Sequence, residues 1–244
     1  MTNTLSSPGS RALLVGPGTH RPYAAVSPGG SEPASIFPAV AATVSHIGKA
    51  LVDECGLDPT RLHMHVDPSG PQMLRNLIAV VAERATDAFL LYYVGYGLTG
   101  GDGKLYLATA GTDDHREGID DSVLAYSELQ DALADCRAES VVVILDLCVP
   151  GGVAGAPRVL DWDVVGQADA HGIHLLVSTA VDETALAPFG RYTVFGDELV
   201  RLLREGDAVG PAEFDLEYIY AHLRRRIFEP DIRSIQVGRV AASL

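Results

Sequence analysis

The chain contains far fewer basic residues than acidic ones. It contains 18 lysine and arginine residues and 32 aspartate and glutamate residues among 244, which gives a formal net charge of -14 and a pI near 4.8. Nucleic acids and anionic membranes are bound through basic surfaces. The composition therefore argues against both kinds of partner, whereas a basic peptide or protein remains an electrostatically suitable one. Lys49 and Lys104 are the only lysines, an arginine bias that suggests a GC-rich bacterial genome.

Cysteine is also scarce, and apolar runs of membrane-spanning length are missing. The three cysteines, Cys55, Cys136 and Cys148, are odd in number and have no metal-ligand spacing. This favours neither a disulfide framework nor a metal site. Residues 1–10 carry no basic segment followed by an apolar one, and no run reaches the roughly 18 apolar residues of a membrane span. We expect a cytoplasmic protein without cofactor or metal.

Apolar strands alternate with helical patterns along the chain, which predicts an α/β fold. We expect a predominantly parallel sheet of about six strands with helices on both faces. Residues 1–10 are predicted to be a flexible N-terminal segment and residues 11–244 a single domain. The strands are expected at 11–15, 61–66, 88–94, 104–108 (in a side hairpin), 140–145 and 173–178, and the helices at 36–53, 71–85 (N-capped by Ser69), 127–135, 193–205 and 215–227.

Two of the buried strands end in sequences that could carry chemistry. The run 88–94 is followed by Gly95-Tyr96-Gly97, and the run 140–145 is followed by Asp146-Leu147-Cys148. In an open α/β sheet, functional groups collect at the carboxyl ends of the strands. We therefore expect Tyr96 and Cys148 to lie at adjacent strand ends.

These two motifs resemble the active-site strand ends of the caspase and metacaspase family of cysteine peptidases, whose usual forms read Tyr-Ser-Gly-His-Gly and Asp-Cys-Cys-His-Ser-Gly. The resemblance extends from about residue 11 to about residue 241, through segments around residues 37–44, 103–107, 112–113, 178–180 and 192–195. It implies a caspase-like three-layer sandwich. It also implies that Cys148 occupies the nucleophile position, and that the histidine position is occupied by Tyr96.

The resemblance assigns further positions. The backbone N–H groups of Gly97 and Cys148 would line an oxyanion hole. Asp146 matches the acidic residue that lines a pocket for a basic P1 side chain. Thr43 and Val94 match two other pocket positions, at which the family usually has a second carboxylate and a serine. Together with Val149-Pro150, which replace His-Ser, these substitutions indicate a degenerate site.

Tyr96 is chemically a poor replacement for a catalytic histidine. An ordinary cysteine is only about 3% thiolate at pH 7, and a phenol with a pKa of about 10 neither stabilises the thiolate as an ion pair nor readily accepts its proton. Loss of a positioned general acid or base typically slows a reaction roughly 10²- to 10⁴-fold. We therefore expect inefficient amide hydrolysis. None of the eight histidines of the chain is expected beside Cys148. They are His20, His46, His63, His65, His115, His171, His174 and His222.

Three functions follow from this interpretation. The favoured one is a catalytically impaired caspase-like protein that regulates or scaffolds by binding a peptide or protein. The alternative is an active cysteine endopeptidase with a preference for arginine or lysine at P1. A third is a doubly wound domain that binds a small ligand, which is disfavoured because no nucleotide-binding fingerprint is present. The sequence does not define the oligomeric state.

Overall fold

The middle layer of the protein is a mostly parallel β-sheet. The computed structural model describes residues 5–20, 35–100, 102–112, 121–149, 172–180, 186–188, 190–211, 213–227 and 232–238. The strands are β1 (Arg11–Gly16), β2 (Thr19–His20), β3 (Ser35–Ile36), β4 (Leu62–Val66), β5 (Ala88–Thr99), β6 (Leu105–Leu107), β7 (Leu124–Ala125), β8 (Ser140–Cys148), β9 (Ile173–Ala180) and β10 (Ile232–Gly238). The helices are α1 (Pro38–Asp53), a 3₁₀ turn (Pro59–Arg61), α2 (Pro71–Ala82), α3 (Tyr126–Leu133), α4 (Val194–Glu205) and α5 (Leu216–Arg226).

The main path of the sheet runs β10-β9-β8-β5-β1-β4. Strands β9, β8, β5, β1 and β4 run parallel to one another, and β10 is antiparallel to β9. The predicted α/β fold with a predominantly parallel sheet of about six strands is confirmed. The short strand β6 pairs antiparallel with the end of β5, which agrees with the expected side hairpin.

Helices cover both faces because successive strand residues point to opposite sides of the sheet. Even-numbered residues such as Leu14, Tyr92 and Ile144 pack in one core with α1, α4 and α5. Odd-numbered residues such as Leu13 and Leu91 pack in a second core with α2 and α3. Strand β5 lies between the two cores, and its residues from Ala88 to Gly97 are all buried.

Several boundaries differ from the sequence predictions. Strand β5 continues to Thr99 and β8 continues to Cys148, so the two motifs lie within the final part of each strand. The N-cap of α2 is Gly70, without a side-chain capping bond, and the prediction of Ser69 was wrong. Strand β10 was not predicted. A register shift between Ile232 and Ser234 interrupts the alternation that would have marked it.

Residues 5–10, which we expected to belong to a flexible segment, contact the rest of the domain. Leu5 is buried in the core formed with α1. The backbone N–H of Gly9 donates to the Asp87 carboxylate at 2.7 Å. These contacts place residues 5–10 beside the start of β5, while the flexibility of the segment stays a prediction and residues 1–4 lie outside the described part of the chain.

Candidate active site

Tyr96 and Cys148 are direct neighbours across two parallel strands. The register of β5 and β8 pairs Val94 with Asp146 and Tyr96 with Cys148. All four residue numbers are even, and Tyr96, Val94 and Cys148 all pack in the core on the α1 side of the sheet. The expected proximity of Tyr96 and Cys148 is confirmed. Both side chains are buried, with 2% and 1% of their surface exposed.

The backbone around Tyr96 is held by a residue that sequence reasoning did not single out. The Tyr93 hydroxyl donates to the carbonyl oxygens of Tyr96, at 3.2 Å, and Ala108, at 2.8 Å. The Ala108 N–H also donates to the Tyr96 carbonyl. The hydroxyl of a buried tyrosine needs a hydrogen-bond partner. For Tyr93 the partners are these backbone carbonyl groups, which lie where β6 begins to pair with β5.

Gly97 lies where the sheet changes from β8 to β6 as the partner of β5. It pairs with Leu107, and a Cβ atom added here would come within 3.0 Å of Leu147 Cδ1 and 3.3 Å of Leu105 Cδ1. Close packing against Leu147 and Leu105 therefore favours glycine at this position. Its expected contribution of a backbone N–H to an oxyanion hole stays a prediction.

The Asp146 carboxylate lies entirely inside the protein. Its Oδ2 accepts hydrogen bonds from the Tyr92 hydroxyl at 2.8 Å and the Thr193 hydroxyl at 2.5 Å. Within the described part of the chain, no donor reaches Oδ1. Burial raises the pKa of Asp146 to about 6, while the hydrogen bonds from Thr193 and Tyr92 act to lower it.

Thr193 connects this carboxylate to two helices. It is the N-cap of α4, and its Oγ1 accepts from the Gly196 N–H at 3.0 Å. Its own N–H donates to Oγ1 of Thr43 in α1 at 3.0 Å. We call Thr43, Tyr92, Asp146 and Thr193 the Asp146 network. A carboxylate beside a helix N-terminus is favourably placed relative to the helix dipole.

Glycine at position 196 allows α4 to approach the Asp146 network. A Cβ atom added there would lie 2.6 Å from Thr43 Cγ2, 2.7 Å from Thr193 Oγ1 and 3.1 Å from the Tyr92 hydroxyl. Real Cβ atoms essentially never come within 3.0 Å of other atoms, and the first two of these distances are shorter than that. The first turn of α4 is therefore packed directly onto the hydroxyl groups that bind Asp146.

The expectation that Asp146 points into a cleft, with Val94 and Thr43 beside it, was wrong. All three residues are 0% exposed. The hydroxyl groups of Tyr92 and Thr193 approach Asp146 from β5 and from the start of α4, and both bind its Oδ2 atom. Tyr92 and Thr193 are thus the site residues that sequence reasoning missed.

The histidines with described side chains lie in other parts of the fold. His46 in α1 stacks on Tyr192, with ring centroids 4.0 Å apart, and its Nε2 lies 3.4 Å from Asp197. His174 pairs with Val142, six residues before Cys148, which corresponds to about 20 Å along the strand.

The remaining described histidines lie on β4, α5 and β2. His63 and His65 lie on β4, separated from β8 by β1 and β5, and His222 in α5 lies 3.3 Å from Asp207. His20 belongs to the short strand β2. His115, His171 and Pro150 lie outside the described residues. No described histidine occupies a strand end beside Cys148.

Neither a membrane span nor a metal-binding group is found in the described part of the structure. No helix there is long and apolar enough to cross a bilayer. No group of three or more histidine, cysteine, aspartate or glutamate side chains there is arranged to hold a metal ion.

The strand order and the paired strand ends define a caspase-like α/β fold, and comparison with known proteins agrees. The model of the caspase domain family, peptidase C14, matches residues 41–240. The chain therefore belongs to the caspase domain family. No protein of curated function shows significant sequence similarity to it.

Solved structures share the fold at low sequence identity. A structural-genomics target from Geobacter sulfurreducens aligns with a TM-score of 0.57 and 15% identity over 97% of this chain and 95% of its own. Caspase-1 from Spodoptera frugiperda aligns with a TM-score of 0.57 and 12% identity over 96% and 86%. The structure of pro-sf-caspase-1 gives 0.58 and 10% over 94% and 90%. At these identities the likeness shows the fold alone.

The raised pKa of Asp146 predicts a pH dependence of stability. The folded state binds this proton more tightly than the unfolded chain does, since the ordinary pKa is 3.8 and the folded value is about 6. Its contribution to stability is therefore fully present below pH 3.8 and is lost as the pH rises through 6. At about 1.4 kcal/mol for each pKa unit, the loss is on the order of 3 kcal/mol.

Asp146→Asn keeps an acceptor oxygen for Tyr92 and Thr193 but cannot titrate. Urea unfolding of both proteins between pH 4 and 7 should show the wild type losing stability relative to the variant as the pH rises. A difference between the two proteins that stays constant across this range would contradict the assignment.

Proposed function

We propose that this protein is a catalytically impaired caspase-like domain that acts by binding a peptide or another protein. The observation that carries the proposal is the direct pairing of Tyr96 with Cys148 at the ends of β5 and β8. In the family that the chain resembles, the position of Tyr96 is occupied by the histidine that accepts the thiol proton and then protonates the leaving amine. A phenol does neither efficiently near neutral pH.

The Asp146 network also supports the proposal, because it bears on how a substrate would be recognised. A pocket for a basic P1 side chain needs a carboxylate that a ligand can reach. Oδ2 of Asp146 is bound by two internal hydroxyl groups, and the residue is fully buried. Opening it to a ligand would break the contact between Asp146 and the N-cap of α4. A hydrogen bond of this kind typically contributes about 1 to 3 kcal/mol to the free energy of unfolding.

The alternative is an active cysteine endopeptidase with a basic P1 preference, and two observations favour it. Cys148 is retained at the strand end. Oδ1 of Asp146 receives no hydrogen bond within the described structure, which leaves one acceptor for a cationic ligand. This alternative requires Tyr96 to take part in proton transfer, and substitutions at that position separate the two functions.

Activity should respond to position 96 in a defined order. With arginine-directed fluorogenic peptides, we expect wild-type hydrolysis to be near background and Tyr96→Phe to be the same, because the hydroxyl has no catalytic role. Tyr96→His should raise the rate by roughly 10²- to 10⁴-fold, since it restores a group that titrates near neutral pH.

Cys148→Ala is the control for thiol-dependent turnover, and circular dichroism establishes that each variant is folded. Wild-type turnover that equals the Tyr96→His rate and disappears in both Tyr96→Phe and Cys148→Ala would overturn the proposal. It would instead establish the endopeptidase with tyrosine as a working catalytic group.

We further propose that the binding partner is basic. The net charge of -14 attracts cationic segments over long range and repels acidic ones. Fluorescence anisotropy with Cys148→Ala should show tighter binding of an Arg-terminated peptide than of an otherwise identical Asp-terminated one, and the binding should weaken with added salt. Preference for the acidic peptide would contradict this partner class.

A further inference from the structure

A groove lies beside helix α2, on the face of the sheet opposite to the Asp146 network. Helix α2 packs on β1, and no side chain of the edge strand β4 belongs to the core on that side. The uncovered space has a volume of about 830 Å³ and is lined mainly by α2, with His63 of β4 beside it. His63 pairs with Leu13, which belongs to the α2 core. The groove therefore lies apart from Tyr96 and Cys148, whose side chains are on the other face.

The apolar side chains of the groove form a row along α2. Met73, Leu77 and Val80 line it, and they follow one another at intervals of four and three residues. Residues with this spacing lie above one another on one face of a helix. Arg84, four residues after Val80, lines the groove just beyond the end of the helix. The row is therefore a continuous apolar strip with a positive charge at one end.

Two members of this row are unusually exposed for apolar side chains. Met73 is 37% exposed and Val80 is 49% exposed. The other large hydrophobic residues with high exposure in the described part of the chain are Met64 and Val209. Met64 lies on the opposite face of the sheet, against Gly48 of α1, and Val209 is in the turn between α4 and α5. Grouped apolar exposure marks an interaction site, whereas isolated exposed side chains are ordinary.

The end of the groove at the last turn of α2 is positively charged. Arg84 and His63 both line the groove. Burial lowers the pKa of His63, and the charges of Arg11 and Arg84 lower it further. The two charged groups that act on this histidine are therefore both arginines. In a chain with a net charge of -14, such a place is suited to an acidic group of a ligand.

The opposite end, at the first turn of α2, has an excess of acidic groups. Asp121 lines the groove there, close to Pro71. An adjoining cavity of about 440 Å³ shares both residues and adds Glu128 and Arg75. The 12 residues of α2 separate the two ends by about 18 Å. The groove is thus apolar in its middle and carries opposite charges at its ends.

An α-helix fits these features as a ligand. A helix that runs antiparallel to α2 would place its first turn near Arg84 and its last turn near Asp121. The helix dipole favours acidic residues in the first turn of a helix and basic residues in the last. The charges of the groove therefore match the ordinary charge distribution of such a helix. Apolar residues on one face of the helix would cover Met73, Leu77 and Val80, as in other helix-in-groove complexes.

We propose that the groove beside α2 binds an amphipathic helix of a partner protein. The helix lies antiparallel to α2, with acidic side chains in its first turn facing Arg84 and His63, and basic side chains in its last turn facing Asp121. This surface is separate from the Asp146 network and does not require Cys148 to be active or inactive. An open row of exposed side chains suits a protein helix better than a small molecule, since small-molecule pockets enclose most of their ligand.

Two synthetic peptides test the proposal by fluorescence anisotropy. Both carry leucines along one helical face and have the same composition with no net charge. The first has glutamates in its first turn and lysines in its last turn, and the second has these charges exchanged. We expect the wild type to bind the first peptide about tenfold more tightly than the second, because only the first matches the charges of the groove.

Substitutions in the apolar row locate the binding site. Val80→Lys should raise the dissociation constant of the first peptide by about tenfold or more, because it places a lysine in the middle of the row. Val209→Lys is the matched control, since it puts the same charge on an exposed valine elsewhere, and it should leave binding unchanged. Circular dichroism establishes that each variant is folded.

Reversal of the charge at position 84 tests the direction of the bound helix. The two peptides differ in their own tendency to form a helix, so the ratio of their dissociation constants is compared between proteins. Arg84→Glu should reduce the preference for the first peptide by about fivefold or more. An unchanged ratio would overturn the proposal, as would a wild type that binds neither peptide saturably or a binding constant that Val80→Lys leaves intact. A wild-type dimer that Val80→Lys dissociates would also overturn it, because a second copy would then occupy the groove.

Discussion

The parallel pairing of β5 with β8 is the constraint from which the rest of the site follows. It holds nine residue pairs in register, from Ala88 with Ser140 to Tyr96 with Cys148. Both strands are buried on their two faces, so neither can slip by one residue without moving a full set of apolar side chains to the wrong core. The position of Tyr96 opposite Cys148 is therefore fixed by packing along the whole length of both strands.

The same pairing brings Asp146 under the start of α4. Its carboxylate binds one hydroxyl from β5 and one from the N-cap of the helix, and the N-cap in turn binds Thr43 of α1. A residue that resembles part of a substrate pocket has thereby become part of the interior. The start of α4 therefore depends on the Oδ2 atom of Asp146, which accepts from both hydroxyl groups.

Much of the fold could be predicted from the sequence, because long apolar runs such as residues 88–94 and 140–145 have few alternatives to a buried strand. The site was only partly predictable. Asp146, Tyr92 and Thr193 meet across sequence separations of 54 and 47 residues. Whether a carboxylate faces a cleft or internal donors depends on how α4 docks, which no local pattern specifies. Strand β10 was missed for a local reason, since its irregular register hides the alternation.

The central claim is that this caspase-family chain does not cleave peptides efficiently, and a peptide-library cleavage profile tests it most directly. Wild type and Cys148→Ala would each be incubated at stoichiometric concentration with a proteome-derived peptide library, and new termini would be identified by mass spectrometry. The account predicts the same set of termini for both proteins. Cleavages that occur only with the wild type and share one P1 residue would contradict it.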